Sequence, residues 1–315
     1  MAKPAAYLYW LTAFIIMATL HVVLPRPVMA ACPQDDVMIL LSSDFWPYVT
    51  AADSLEQELK TRCPAIHIRR LYLDQLKTVT QKAERRQTAP SLVFPIGTEA
   101  VVAAQKRFPA IPIVFSMVLD PSPSLLAGQN IYGVVLDIPC QEIWKQLKSI
   151  APHVSRPGIL YTDDSWGTAR NMANILRENG INPVLIKIDS SEQIQHGIED
   201  ILRLSDALIA IPDTNIYNKI VAPRIIFEAI RHRKPFVGLS KNFTESGALL
   251  SVDSDYEDIG IQAADMGLDI LSGNVPASRI QFPRKFSTSL NLHTARLIGL
   301  VPGSETIKAF NIVAY

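Results

Sequence analysis

From Val37 onward, short runs of β-branched and other apolar residues alternate with longer stretches that repeat apolar positions at helical spacing. Residues 37–41, 66–71, 91–96, 111–118 and 131–136 read as strands, and about 51–62, 73–86 and 99–108 as the helices between them. That alternation is the signature of a parallel sheet with crossover helices. The pattern restarts at Pro157, with strands at 158–161, 183–188, 207–211 and 236–239 and helices near 166–178, 191–204 and 217–233. A strand at 248–252, a helix at 256–271 closed by the C-cap signal of Gly273, a strand near 286–290 and a helix at 291–298 complete the chain. No low-complexity linker separates the two units. They are expected to be joined by short crossings that pass more than once.

The stretch from Pro112 to Gly133 carries the most chemical information. A buried run ends in Asp120-Pro121, a Pro/Ser/Gly loop follows, and extended chain resumes at Asn130-Ile131-Tyr132-Gly133. In open parallel sheets the carboxyl ends of strands are where ligands bind. Ser116 and Asp120 at such an end, before a loop, point to part of a ligand cleft. Ser43 or Asp44 and Thr98 stand where strand passes to helix. There they cap the helix or present hydroxyls and amides to a ligand at its positive end.

The first thirty residues differ from the rest. Lys3 precedes an apolar run from Ala5 to Leu24, Pro25 and Pro27 break it, and Val28-Met29-Ala30 has the form of a signal-peptidase site. A signal peptide over residues 1–30 is the expectation. An uncleaved anchor or a lipoprotein, since Ala30-Ala31-Cys32 partly resembles a lipobox, are the alternatives; each places the remainder outside the cytoplasm, in the periplasm. Removing Lys3 and Arg26 from the thirty basic residues leaves 28 against thirty acidic ones. No basic stripe is present, which excludes nucleic acid as a partner class. A hydrophobic content of 48% argues against disorder. Cys32 and Cys63 precede adjacent strands, so a disulfide between them is reasonable in an oxidising compartment. Closing that loop of about thirty residues is worth roughly 3–4 kcal/mol. Cys140 is left over and reads as a small buried apolar residue.

Catalytic signatures are missing. There is no G-x-S-x-G, Walker A, G-x-G-x-x-G or C-x-x-C pattern, and the six histidines show no metal-ligating spacing. The carboxylate pairs Asp163/Asp164 and Asp253/Asp255 read more readily as caps and turn formers than as acid–base groups. An exported two-unit α/β chain of this kind points to binding rather than catalysis, with no cofactor expected.

Several markers occur together in order: Gly97-Thr98-Glu99-Ala100; Pro112-Ile113-Val114-Phe115 with Asp120-Pro121; Asn130-Ile131-Tyr132-Gly133; and Ile211-Pro212-Asp213. Ser246-Gly247-Ala248, Gly260 with Ala263-Ala264, Leu271-Ser272-Gly273 before Pro276, and Asn291 with Ala295 and Leu297-Ile298-Gly299 follow. Through them the chain, over about 37–299, resembles the ABC-transporter substrate-binding proteins of the type I periplasmic-binding-protein fold, the group that includes aromatic amino acid binders. The stretch 213–218 and the absence of a clear lipobox depart from it.

The resemblance implies an α/β protein of two Rossmann-like lobes with parallel sheets, three inter-lobe crossings and a ligand in the cleft. It places the crossings near 134–139, 240–244 and 276–286. Lobe one then holds 32–136 and 245–276, and lobe two 137–240 and 277–315. Candidate ligand residues are Ser42, Ser43, Trp46, Thr98, Ser116 and Asp120 from lobe one, and Tyr161, Asp213, Asn215 and Ser240 from lobe two. Hydroxyls and helix-start amides suit a carboxylate, Asp213 suits an ammonium, and Trp46 or Tyr161 suits an apolar or aromatic group. Each has a competing structural role: Ser43 and Thr98 as helix caps, Asp120 as a turn former, Trp46 as core. The implied function is capture of a small molecule, of amino-acid or related zwitterionic type, by a monomer serving an ABC permease. A periplasmic sensor signalling to a membrane protein and an exported enzyme are the other classes.

Overall fold

Val37, Ile39 and Leu41 pack into one apolar cluster and Met38 and Leu40 into another, and all five are buried. A strand buried on both faces needs cover on both, and the architecture supplies it. The computed structural model describes residues 35–78 and 89–314. The first sheet contains β1 (Asp36–Leu41), β2 (His67–Tyr72), β3 (Leu92–Ile96), β4 (Ile113–Val118), β5 (Ile131–Val135) and the short β11 (Ile280–Gln281). Their order is β11-β5-β4-β3-β1-β2, parallel throughout. Helices α1 (Trp46–Arg62) and α9 (Tyr256–Leu271) cover the Val37 face, and α2 (Leu73–Thr78) with α3 (Thr98–Arg107) the other.

The second sheet has seven strands: β6 (Pro157–Tyr161), β7 (Val184–Lys187), β8 (Ala207–Ile209), β9 (Phe236–Gly238), β10 (Leu250–Ser254), β12 (Phe286–Asn291) and β13 (Ile312–Ala314). They run in the order β13-β12-β10-β9-β8-β6-β7, parallel except where β12 meets β10 antiparallel. Around them lie α4 (Cys140–Ile150), α5 (Trp166–Glu178), α6 (Ile194–Leu204), α7 (Val221–Arg231), α8 (Lys241–Glu245), α10 (Leu292–Leu297) and α11 (Ser304–Lys308). The result is a pair of mostly parallel α/β lobes.

The strand expected in lobe one at 248–252 belongs instead to the second sheet. Leu250 stands opposite Val237 on one side and Leu290 on the other, and Ala248, Leu249 and Leu250 are fully buried in the second core. The single-turn helix α8 only returns the chain beside β9, so the second passage between lobes falls after Ser254, not at 240–244. The first passage follows β5 and the third follows β11. All three lie side by side: Ser254 Oγ donates to the Leu136 carbonyl at 2.9 Å, and Asp255 N to that of Lys285 at 3.2 Å.

Helix α7 begins at Val221, later than the pattern suggests. Asn218 Oδ1 accepts the amides of Ile220 and Val221 at 3.0 Å, so the preceding residues form a capped turn. Cys140 is a buried free thiol whose Sγ–H points at the Met172 carbonyl, and burial pushes its pKa up to about 11. The expected signal peptide and Cys32 lie outside the described residues, as does the C-terminal part of the helix expected at 73–86. Among the described residues, no helix is long and apolar enough to cross a membrane, and no group of acids, histidines or cysteines could hold a metal ion.

Candidate functional site: a pocket at the inter-lobe crossings

The carboxyl ends of β4, β5, β8, β9 and β10 converge where the chain passes between lobes. They enclose a cavity of about 260 Å³. Its walls are apolar, with Leu136, Ile138, Ile143, Met172, Val237 and Val252 among them, and Tyr256 closes one side. Two carboxylates interrupt this surface, Asp137 and Asp253. Asp253 Oδ2 accepts the amide of Lys241 at 2.7 Å, which starts α8, while Asp137 Oδ2 accepts the amide of Asp120 at 2.8 Å.

Neither carboxylate has a cationic partner among the described residues. Burial pushes Asp253 up to about 6, the Lys241 amide only partly opposing it. Asp137 is raised too, first by burial and further by the negative charge of Asp120, against the bond from the Asp120 amide. Tyr256 is raised by burial and by the charge of Asp253. Desolvated carboxylates without a counter-charge are what a cationic ligand group would relieve.

Asp120 follows the pocket-lining Leu119 in lobe one and lines the adjoining groove. Its backbone is left-handed, φ 41°, a conformation Asp tolerates better than most residues. Its carboxylate reaches across the cleft, where Oδ2 accepts the Thr168 hydroxyl at 2.7 Å on the first turn of α5. Trp46 is 63% exposed, so it is not core; its ring meets the edge of Tyr256 at 5.4 Å.

The other expected site residues divide differently. Ser42 Oγ accepts the Ala100 amide at 3.0 Å and caps α3, beside Gly97, where φ is 88° and a Cβ would lie 2.6 Å from that hydroxyl. Ser43 accepts the Phe45 amide at 3.3 Å. Thr98 lines a separate lobe-one groove with Asp120 and Ser122. Ser116 is enclosed in the sheet, its Oγ without a partner among the described residues, and is not among those that line the inter-lobe cavity. Tyr161 stacks at a tilt on Trp166, ring centroids 5.1 Å apart. Asn215 donates to Asp164 at 3.1 Å in an outer polar hollow of lobe two, and Ser240 is the residue before α8, without a side-chain cap bond.

Asp213, expected to meet a ligand ammonium, is instead saturated by its own lobe. Oδ2 accepts Thr162 N at 3.0 Å, Thr162 Oγ1 at 2.7 Å and Ser165 Oγ at 2.5 Å; Oδ1 accepts the amides of Asn215 at 2.9 Å and Ile216 at 3.2 Å. Burial alone would raise its carboxyl, but the bonds from Ser165 and Thr162 outweigh it and hold the group below the ordinary aspartate value. Five donors from lobe two give Asp213 a structural role at the end of β8.

Two mostly parallel lobes, three adjacent crossings and a cavity between strand ends define a periplasmic-binding-protein architecture of type I. The family model described as ABC transporter substrate binding protein matches residues 73–301, and the chain belongs to that family. A tyrosine-binding protein of Clostridioides difficile is 22% identical over 191 residues, 58% of this chain and 55% of its own, so the chain spans about half that relative's length. Among solved structures, a ligand-free, open substrate-binding protein with adhesive properties from Clostridium difficile superposes with a TM-score of 0.71 at 19% identity, covering 89% of this chain and 99% of that one. An ABC domain in complex with L-Trp from Streptococcus pneumoniae gives 0.60 at 17% identity, covering 89% and 99%.

Proposed function

We propose that this chain is an exported solute receptor that captures a small, ammonium-bearing molecule in the pocket at the crossings and presents it to an ABC permease. The observation that carries this reading is the pair of desolvated carboxylates, Asp137 and Asp253, without cationic partners in an otherwise apolar inter-lobe cavity. Apolar walls with Tyr256 and the exposed Trp46 suit an aromatic or aliphatic body. The tyrosine-binding relative and the L-Trp complex support a ligand of amino-acid size.

Export through residues 1–30, a periplasmic location, action as a monomer without nucleic acid, and the absence of an enzymatic step belong to the same reading. So does a disulfide between Cys32 and Cys63. Cys63 is buried at the end of α1, and Asp36, just after Cys32, pairs with His67 in adjacent parallel strands. Each lobe has its own sheet and core, so ligand should drive a hinge closure with nearly rigid lobes.

Native mass spectrometry of the purified protein should recover a co-purified amine-bearing solute. Small-angle scattering of stripped protein should show a smaller radius of gyration when that solute is restored. Recovery of an anionic solute, or turnover of the bound compound, would overturn the reading.

A further inference from the structure

We infer that the pocket selects a net cation, an amine with an apolar body and no carboxylate, over the corresponding zwitterionic amino acid. This rests on the solute-receptor reading and specifies its ligand. A zwitterion needs two complementary poles in its site, and this pocket supplies one. Asp137 and Asp253 offer negative charge from lobe one's first crossing and from the end of β10. Among the described residues that line the cavity there is no lysine, arginine or histidine.

The remaining means of holding a ligand carboxylate would be the positive end of a helix. Helix α5 begins at the cavity, to which Thr168 and Met172 contribute, and its first bond back runs from Ala169 N to Ser165 O. That end is already occupied by the chain's own carboxylate. Asp120 Oδ2 takes the Thr168 hydroxyl at 2.7 Å, and a Cβ built on Gly167 would lie 3.6 Å from the same oxygen, so Asp120 covers the first turn. The Asp120 amide is in turn held by Asp137 at 2.8 Å. One carboxylate of the pocket thus orients the residue that fills the anion position. A ligand carboxylate brought here would meet Asp120, Asp137 and Asp253 with no cation to offset them.

Matched pairs test this directly: tryptamine against L-tryptophan and tyramine against L-tyrosine, titrated calorimetrically into stripped wild-type protein near neutral pH. Within each pair the body and the ammonium are shared, and only the carboxylate differs. Each amine is expected to bind at least about tenfold more tightly than its amino acid. In Asp120→Asn, which tolerates the left-handed backbone and removes the charge, that preference should shrink by about tenfold as the helix end becomes available. Asp120→Ser is a second route to the same change, and melting curves report whether either variant folds.

The wild-type comparison does not depend on the variants. Equal or tighter binding of the amino acids would overturn the cation proposal while leaving the receptor reading intact. Failure of all four probes to bind would overturn the proposal as well, and the receptor reading would then be judged by the co-purified solute. A preference unchanged in folded Asp120 variants would overturn the role given to Asp120.

Discussion

Replacing Asp213 by Asn separates a ligand carboxylate from a structural one. Three donors converge on Oδ2 and two on Oδ1. An amide in the same shape keeps one acceptor oxygen and turns an NH2 toward the other set. If the NH2 faces Thr162 and Ser165, their hydroxyls can rotate to accept, while the Thr162 backbone N–H cannot and keeps only its bond to Ser165 Oγ; if it faces the other way, the amides of Asn215 and Ile216 lose their acceptor. Hydrogen bonds to a charged group contribute about 1.5–3 kcal/mol each, and an orphaned donor costs a similar amount. The net expectation is a loss of about 2–4 kcal/mol, since rotation of the hydroxyls recovers part. At roughly 2–4 °C per kcal/mol for a chain of this size, Tm should fall by about 5–15 °C. Because the folded carboxyl lies below its ordinary value, its stabilisation is present above the unfolded pKa and is lost as pH falls through the folded one. The difference in Tm between wild type and variant should therefore narrow in acid. Differential scanning calorimetry across pH measures both effects, and calorimetric titration measures solute affinity in parallel. An unchanged Tm with weakened binding would refute the structural role and return Asp213 to the ligand site.

Asp253 should make the pocket pH-sensitive in the opposite sense: its carboxyl, raised from 3.8 to about 6, gives stability that is complete below the unfolded value and lost as pH rises toward 6. A bound ammonium favours the ionised form, so amine affinity measured from about pH 5 to about pH 7.5 should rise, with Asp137 and Tyr256 contributing to the same field, and Asp253→Asn should flatten the curve. Gly260→Ala should lower Tm by a cost of about 1–3 kcal/mol, because a Cβ there would sit 2.2 Å from the Ala51 carbonyl oxygen where α9 lies on α1; an unchanged melting curve would show that the helices separate freely. Intact mass before and after reduction and alkylation should show one disulfide in the mature protein, and alkylation of Cys63 without reduction would exclude its bond to Cys32.

Strand and helix periodicity exposed nearly all of the architecture, because parallel strands buried on both faces are uniformly apolar and leave a clear mark. The lobe assignment of residues 245–254 was not visible in that pattern. Apolar residues at 248–252 fit either core equally well, and only the pairing of Leu250 with Val237 and Leu290 decides between them. The same limit explains Asp213. A polar residue after an apolar strand reads as a ligand contact as long as its partners, Thr162 and Ser165, lie about fifty positions away and cannot be seen to converge on it.

The pocket carboxylates were harder to read for a related reason. Asp253 and Asp255 stand two apart and look like one pair of turn formers. Asp255 accepts the Asp258 amide at 3.0 Å and caps α9, whereas Asp253, still within β10, faces the cavity. Alternation alone would place two residues two apart on one face; what separates them is the end of β10 at Ser254, which leaves Asp253 in the strand and Asp255 as the helix cap. Asp137 had a signal of its own, a carboxylate directly after an apolar strand at an expected crossing. Its significance comes from a comparison the linear sequence does not offer: both aspartates reach one cavity that receives no cation from the described residues, while Asp120 fills the helix end opposite. Selectivity in this cleft therefore rests on which charges are left uncompensated when the two lobes meet, a property of the junction and of neither lobe alone.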